Sequence, residues 1–100
     1  MKAVISAAAR KDLLDAAAWI AKTNPLAARA LRGSIVEAAI VLGDSPNIGF
    51  ERIDLIDSPV RFWILRGFPY IIVYDSELRP PLILRVLYGA RDLPEVLAEL

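Results

Sequence analysis

The chain changes its hydrophobic period once, and that change constrains the fold more than any other feature. Up to Leu42 apolar residues recur at helical spacing, whereas beyond Phe50 they come as short runs rich in β-branched and aromatic residues. The stretch between, DSPNIGF from Asp44 to Phe50, is loop chemistry, with proline, glycine and short polar residues in series. A helical half followed by a strand-rich half predicts an α+β layer arrangement.

In the first half, KAVI suits a short strand, and Ser6 is placed to cap a helix whose apolar positions include Leu13, Ala16, Ala17 and Ile20. That helix is expected to end near Thr23. Asn24-Pro25 then gives a side-chain cap followed by proline at the first helical position, where its missing N–H costs nothing. The second helix presents Ala27, Leu31, Ile35, Ala38 and Leu42 on one face, with Gly43 as its expected stop. So few residues join the two helices that they must form an antiparallel hairpin.

In the second half, ERIDL, VRFWIL, YIIVY and LILRVLY are separated by IDSP, RGFP and DSELRPP, which predicts four strands in an antiparallel meander. The last residues restart as a short helix after Gly89, with Asp92 and Glu95 at capping-box spacing and Pro94 in the first turn. The expected whole is one domain over residues 1–100, a helical hairpin packed on a mainly antiparallel sheet with a short C-terminal helix. YIIVY carries no charge on either face and LILRVLY only Arg85, so both faces of these strands should be buried. One helical hairpin covers one face, and a terminal helix of about two turns covers little more. The remainder calls for a tightly wrapped core, self-association or a partner chain that donates a strand or a helix.

Composition narrows the chemistry. The 100 residues hold no histidine and no cysteine, which removes the commonest general base, thiolate nucleophiles, disulfides and the usual metal ligands. No cofactor or metal is expected. Twelve basic and twelve acidic side chains leave a formal charge of zero, so nothing draws the whole molecule toward nucleic acid or an anionic membrane. The start MKAVISAAARKDLL has no signal-peptide pattern, no apolar run approaches a membrane span, and a cytoplasmic location is expected. At 56% the apolar content exceeds the roughly 45 to 50% of ordinary domains, which points to uncovered apolar surface.

Among the basic residues, all three lysines lie at Lys22 or before, so the second half has arginine only. Arg85 interrupts an apolar strand and must pair or reach solvent, with Asp54, Asp57 or Asp75 as candidate partners in a structural ion pair and a binding role as the alternative. Arg91 precedes a helix N-terminus, where the dipole disfavours a cation, and so calls for an acidic or phosphate partner. Tyr88 fits a core aromatic with its hydroxyl at the surface.

RVLYGARDLPEVL resembles the C-terminal motif of the RelE/ParE superfamily of toxins from bacterial toxin–antitoxin pairs. FWILRGFPYIIVYD resembles the family's central hairpin, and NPLAARALRGSIVEAAIVLGDSPNIGFER its second helix and following loop, so the resemblance covers nearly the whole chain. It implies a helical hairpin against a curved antiparallel sheet and inhibition by a cognate antitoxin whose C-terminal segment wraps the toxin. Tyr88 departs from the pattern, since many relatives have histidine there. RelE-type members cleave ribosome-bound messenger RNA with strand lysines and arginines, whereas ParE-type members inhibit DNA gyrase and need only a binding surface. This chain has Ile71 where RelE-like sequences carry a strand arginine, which favours a ParE-like gyrase inhibitor neutralised by a ParD-like antitoxin in a hetero-oligomer. A RelE-like nuclease, or a domain that retains only antitoxin binding, is the alternative. The residues expected to bind target or antitoxin are Arg61, Trp63, Arg66, Arg85, Tyr88 and Arg91, with no catalytic group among them and no sequence-specific nucleic-acid binding by the toxin alone.

Overall fold

The computed structural model describes residues 1–57, 59–89 and 93–100. Its elements run β1 (Val4–Ile5), α1 (Ala7–Ala21), α2 (Pro25–Asp44), β2 (Val60–Ile64), β3 (Tyr70–Asp75), β4 (Leu82–Tyr88) and α3 (Leu93–Leu97). Both helix starts are set by local side chains. The Ser6 hydroxyl accepts from the Ala9 N–H at 3.1 Å, and the Asn24 side chain accepts from the Ala27 N–H at 3.0 Å, with Pro25 opening α2. Each satisfies an amide that the helix itself cannot.

The sheet order is β1-β4-β3-β2. Strands β2, β3 and β4 form an antiparallel meander, and β1 joins β4 in parallel, pairing Val4 with Leu82 and Ile5 with Ile83. The sheet is therefore mixed, and only three of the four expected meander strands exist. ERIDL is not a strand: the Arg52 carbonyl accepts from both the Leu55 and Ile56 N–H groups, and the Arg52 guanidinium grips Asp54 two residues on. These local bonds curl the segment into a turn. What pairs with the outside of β2 instead is Phe50, in a single bridge to Phe62.

Gly43 is not the stop of α2, which continues through Asp44. It serves a crossing: a Cβ on Gly43 would lie 1.8 Å from the Met1 carbonyl oxygen, so only glycine admits the N-terminal segment here. That segment is pinned by an Ala3 N–H bond to the Ala39 carbonyl at 2.8 Å, which delivers β1 to the sheet.

Both faces of the central strands are covered from within the chain. On the helix face, Tyr70, Ile72, Tyr74, Ile83 and Val86 pack with Ala9, Ala16, Leu31, Ile35 and Leu42. On the other face, Phe62, Val73 and Leu87 pack with Leu93 and Leu97 of α3 and with Leu55 and Ile56 of the 51–57 segment. Of the covers weighed for residues 70–74 and 82–88, the chain itself supplies the second, because the curled segment and α3 together close the face that the helical hairpin leaves. Exposed apolar side chains lie at the periphery instead: Trp19 and Leu26 at the hairpin tip, and Ile48, Phe50, Ile53 and Ile64 around β2. Among the described residues, no helix is long and apolar enough to cross a membrane.

Candidate partner-binding site

Arg85 is tied into the fold. A bulge between β3 and β4 leaves Val73 opposite Arg85 and Tyr74 opposite Ile83, and the Arg85 side chain crosses to α1. Its Nε and Nη2 donate to the two oxygens of Asp12 at 2.7 and 2.9 Å, and the same carboxylate accepts the Val86 N–H at 3.0 Å. The partner is thus Asp12, and none of Asp54, Asp57 or Asp75. The bidentate bond to Asp12 holds the guanidinium above its usual range, against the smaller opposing effect of burial.

Arg61 is tied as well. Its Nη1 donates to the Gly49 carbonyl at 2.9 Å and its Nη2 meets Glu51 at 2.8 Å. Beside it the fully buried Tyr74 hydroxyl donates to the Pro46 carbonyl at 2.6 Å and accepts from the Gly49 N–H at 2.9 Å. Burial pushes this phenol up. Together these bonds fasten the 46–51 segment along β2, where the Phe50 and Phe62 rings stack with centroids 5.8 Å apart. A Cβ on Gly49 would come within 2.5 Å of the Tyr74 hydroxyl, so this close approach requires glycine.

Trp63 and Arg66 belong together. They line a cleft of about 310 Å³ between β2 and α2, with Ser34, Glu37, Ala38, Val41 and Leu65 as the other walls. The walls are mixed: Trp63 and Leu65 pack toward the helix core, while Glu37 and Arg66 are exposed and, among the described residues, neither forms an ion pair. Arg61 is not among the residues that wall this cleft. Tyr88 stands half exposed on β4, edge-on to Tyr70 with centroids 5.6 Å apart. Arg91 and the expected Asp92 cap lie outside the described residues.

The six expected site residues therefore do not form one site. Trp63 and Arg66 are brought together; Arg61 and Arg85 are each held by a carboxylate. Ile71, at the position where RelE-like sequences carry arginine, pairs with Leu87 and packs into the apolar cluster beneath α3. Sequence reasoning missed Asp12, Ser34, Glu37 and Tyr74. Of these only Tyr74 carried a local signal, as an aromatic at the end of a strand facing a proline-glycine loop. No three His, Cys, Asp or Glu side chains among the described residues gather to hold a metal ion.

The structure is a helical hairpin on a mixed four-stranded sheet, an α+β fold. The sequence profile described as ParE toxin of type II toxin-antitoxin system, parDE, matches residues 3–93, and the chain belongs to that family. A solved structure titled "Chromosomal ParDE TA system from P. aeruginosa" shares the fold, with a TM-score of 0.72 at 23% identity over 89% of this chain and 96% of that one. No curated protein matches the sequence significantly.

Proposed function

We propose that this ParE-family toxin is a single cytoplasmic domain that arrests growth by binding DNA gyrase, and that a ParD-type antitoxin neutralises it. The observation that carries the reading is the state of the arginines. A ribonuclease needs cations free to meet a developing phosphorane and groups to move the proton of the 2′-hydroxyl. Here Arg85 and Arg61 are engaged by Asp12 and Glu51, and Ile71 lies in an apolar cluster. An inhibitor that acts by contact needs none of these groups. It needs presented surface, and the cleft with Trp63 and Arg66 together with the exposed Tyr88 supplies it. Family membership supports the same direction.

The reading is tested by inducing the chain in bacteria with and without a ParD-type antitoxin and following growth, the DNA-damage response and translation. Growth arrest with a DNA-damage response, relieved by the antitoxin, is expected. Translation arrest without a DNA-damage response would instead favour RNA cleavage, and normal growth would favour a domain that retains only antitoxin binding.

A further inference from the structure

The outward face of α2 is laid out symmetrically about one glycine. Leu31, Ile35, Ala38 and Leu42 turn inward and are buried. On the opposite side Leu26, Arg29, Gly33, Val36, Glu37 and Ile40 share the exposed face at helical spacing. Leu26, Val36 and Ile40 are large apolar side chains left in water. Arg29 and Glu37 carry opposite charges, and among the described residues neither forms an ion pair.

Gly33 is out of place by the chain's own packing. Glycine weakens a helix interior relative to alanine, and a Cβ at this position would meet nothing within 4 Å. No close contact among the described residues calls for it. A glycine on an exposed helix face admits the close approach of another backbone.

We propose that this face docks on the same face of a second copy of the chain, with the two α2 helices antiparallel and crossing at Gly33. The inference is independent of the gyrase and antitoxin readings. Arg29 lies four residues before Gly33 and Glu37 four after it, while Leu26 lies seven before and Ile40 seven after. A two-fold axis at Gly33 therefore sets Arg29 of one copy against Glu37 of the other, about 6 Å from the crossing at the usual helical rise. The same axis sets Leu26 against Ile40 about 10 Å out, and the bulky Val36 against the small, exposed Ala30 between them. Each contact occurs twice.

The layout selects both the occupant and its direction. A parallel pair in the same register would bring Arg29 onto Arg29 and Glu37 onto Glu37, which like charges disfavour. A foreign partner would not require opposite charges and apolar side chains to fall at equal distances on either side of one glycine, whereas a second copy does. At a shallow crossing of about 20° all of these pairs stay within reach. One helix from each copy makes an interface below about 1,200 Å², which suits a weak, exchanging pair.

The test is sedimentation equilibrium of the full chain at concentrations from about 1 μM to about 1 mM, the range in which weak pairs form. A concentration-dependent dimer is expected. Gly33→Leu should weaken association by roughly tenfold or more without lowering the urea midpoint, because the single chain has room for the side chain. Arg29→Glu should weaken it as well, by setting two carboxylates against each other. Combining Arg29→Glu with Glu37→Arg should restore it, since only the sign of each pair is then reversed. A chain that stays monomeric throughout would overturn the proposal. So would a dimer indifferent to Gly33→Leu, a fallen midpoint in that variant, or a double exchange that fails to restore association.

Discussion

The two edges of the sheet meet the same problem differently. Beyond the end of β1, β4 leaves backbone groups unpaired, and α1 covers them with side chains: the Ser6 hydroxyl donates to the Leu84 carbonyl at 2.9 Å and Asp12 accepts the Val86 N–H. Arg85 then neutralises the carboxylate that made this possible. At the β2 edge, Phe50 closes one position and nothing among the described residues closes the next. One edge is sealed by charged and polar groups from the first turns of α1, and the other adjoins the mixed cleft walled by Trp63 and Arg66, an arginine that forms no ion pair among the described residues. Arg85 and Arg66 thus differ in what holds them, a difference that their sequence surroundings do not show.

The largest expected effect is at the sealed edge. Asp12→Ala would strand a partly buried guanidinium and the Val86 N–H together, and removing one member of such a pair costs about 3 kcal/mol or more. Urea unfolding would show it as a lowered midpoint with little change in slope. A loss below about 1 kcal/mol would mean that the edge is held by packing alone.

Tyr74→Phe comes next, because it leaves the Gly49 N–H and the Pro46 carbonyl without their partner, at about 1 to 3 kcal/mol. The same phenol sets a pH dependence. Its folded-state value is raised above 10.0 by burial, so its contribution is fully present below about pH 10 and is lost as the pH rises through the folded value. Urea midpoints for the unaltered chain should fall across that window, and the fall should be smaller in Tyr74→Phe.

Ser6→Ala removes the α1 cap and the bond to Leu84 in one step, for about 1 to 2 kcal/mol. Combined with Asp12→Ala it should deviate from additivity, since both act on neighbouring groups of one edge.

The smallest effect on stability belongs to the open edge. Arg66→Glu should change the unfolding free energy by less than about 0.5 kcal/mol, as expected of an exposed side chain with no partner. It should nonetheless weaken antitoxin binding, measured by calorimetry. A large stability loss here would erase the distinction between the two edges.

Much of the fold is legible in the sequence because the signals are local. Ser6 and Asn24-Pro25 announce their helices through bonds to amides three residues on, and the three long strands announce themselves by β-branched runs. ERIDL misleads because its alternation is real, yet a five-residue run does not reveal that Arg52 and Asp54 bind each other and curl it. Asp12 and Arg85 stand 73 residues apart, and nothing in periodicity selects Asp12 over three carboxylates nearer in sequence. The open edge is hidden for a related reason. Only when β1 inserts beside β4 does the order of the sheet leave β2 outermost, and that insertion depends on Ala3, Gly43 and the crossing of the N-terminal segment. The central strands are covered on both faces, and exposed apolar side chains lie on the helical hairpin and around β2.

Action through contact, without cleavage chemistry of the chain's own, is tested most directly by adding the purified protein to DNA gyrase on supercoiled plasmid and scoring DNA breaks. The account predicts breaks that require gyrase, that scale with the added protein and that disappear when a ParD-type antitoxin is present. No effect on gyrase, together with codon-specific transcript ends when the same preparation is added to translating ribosomes, would contradict it.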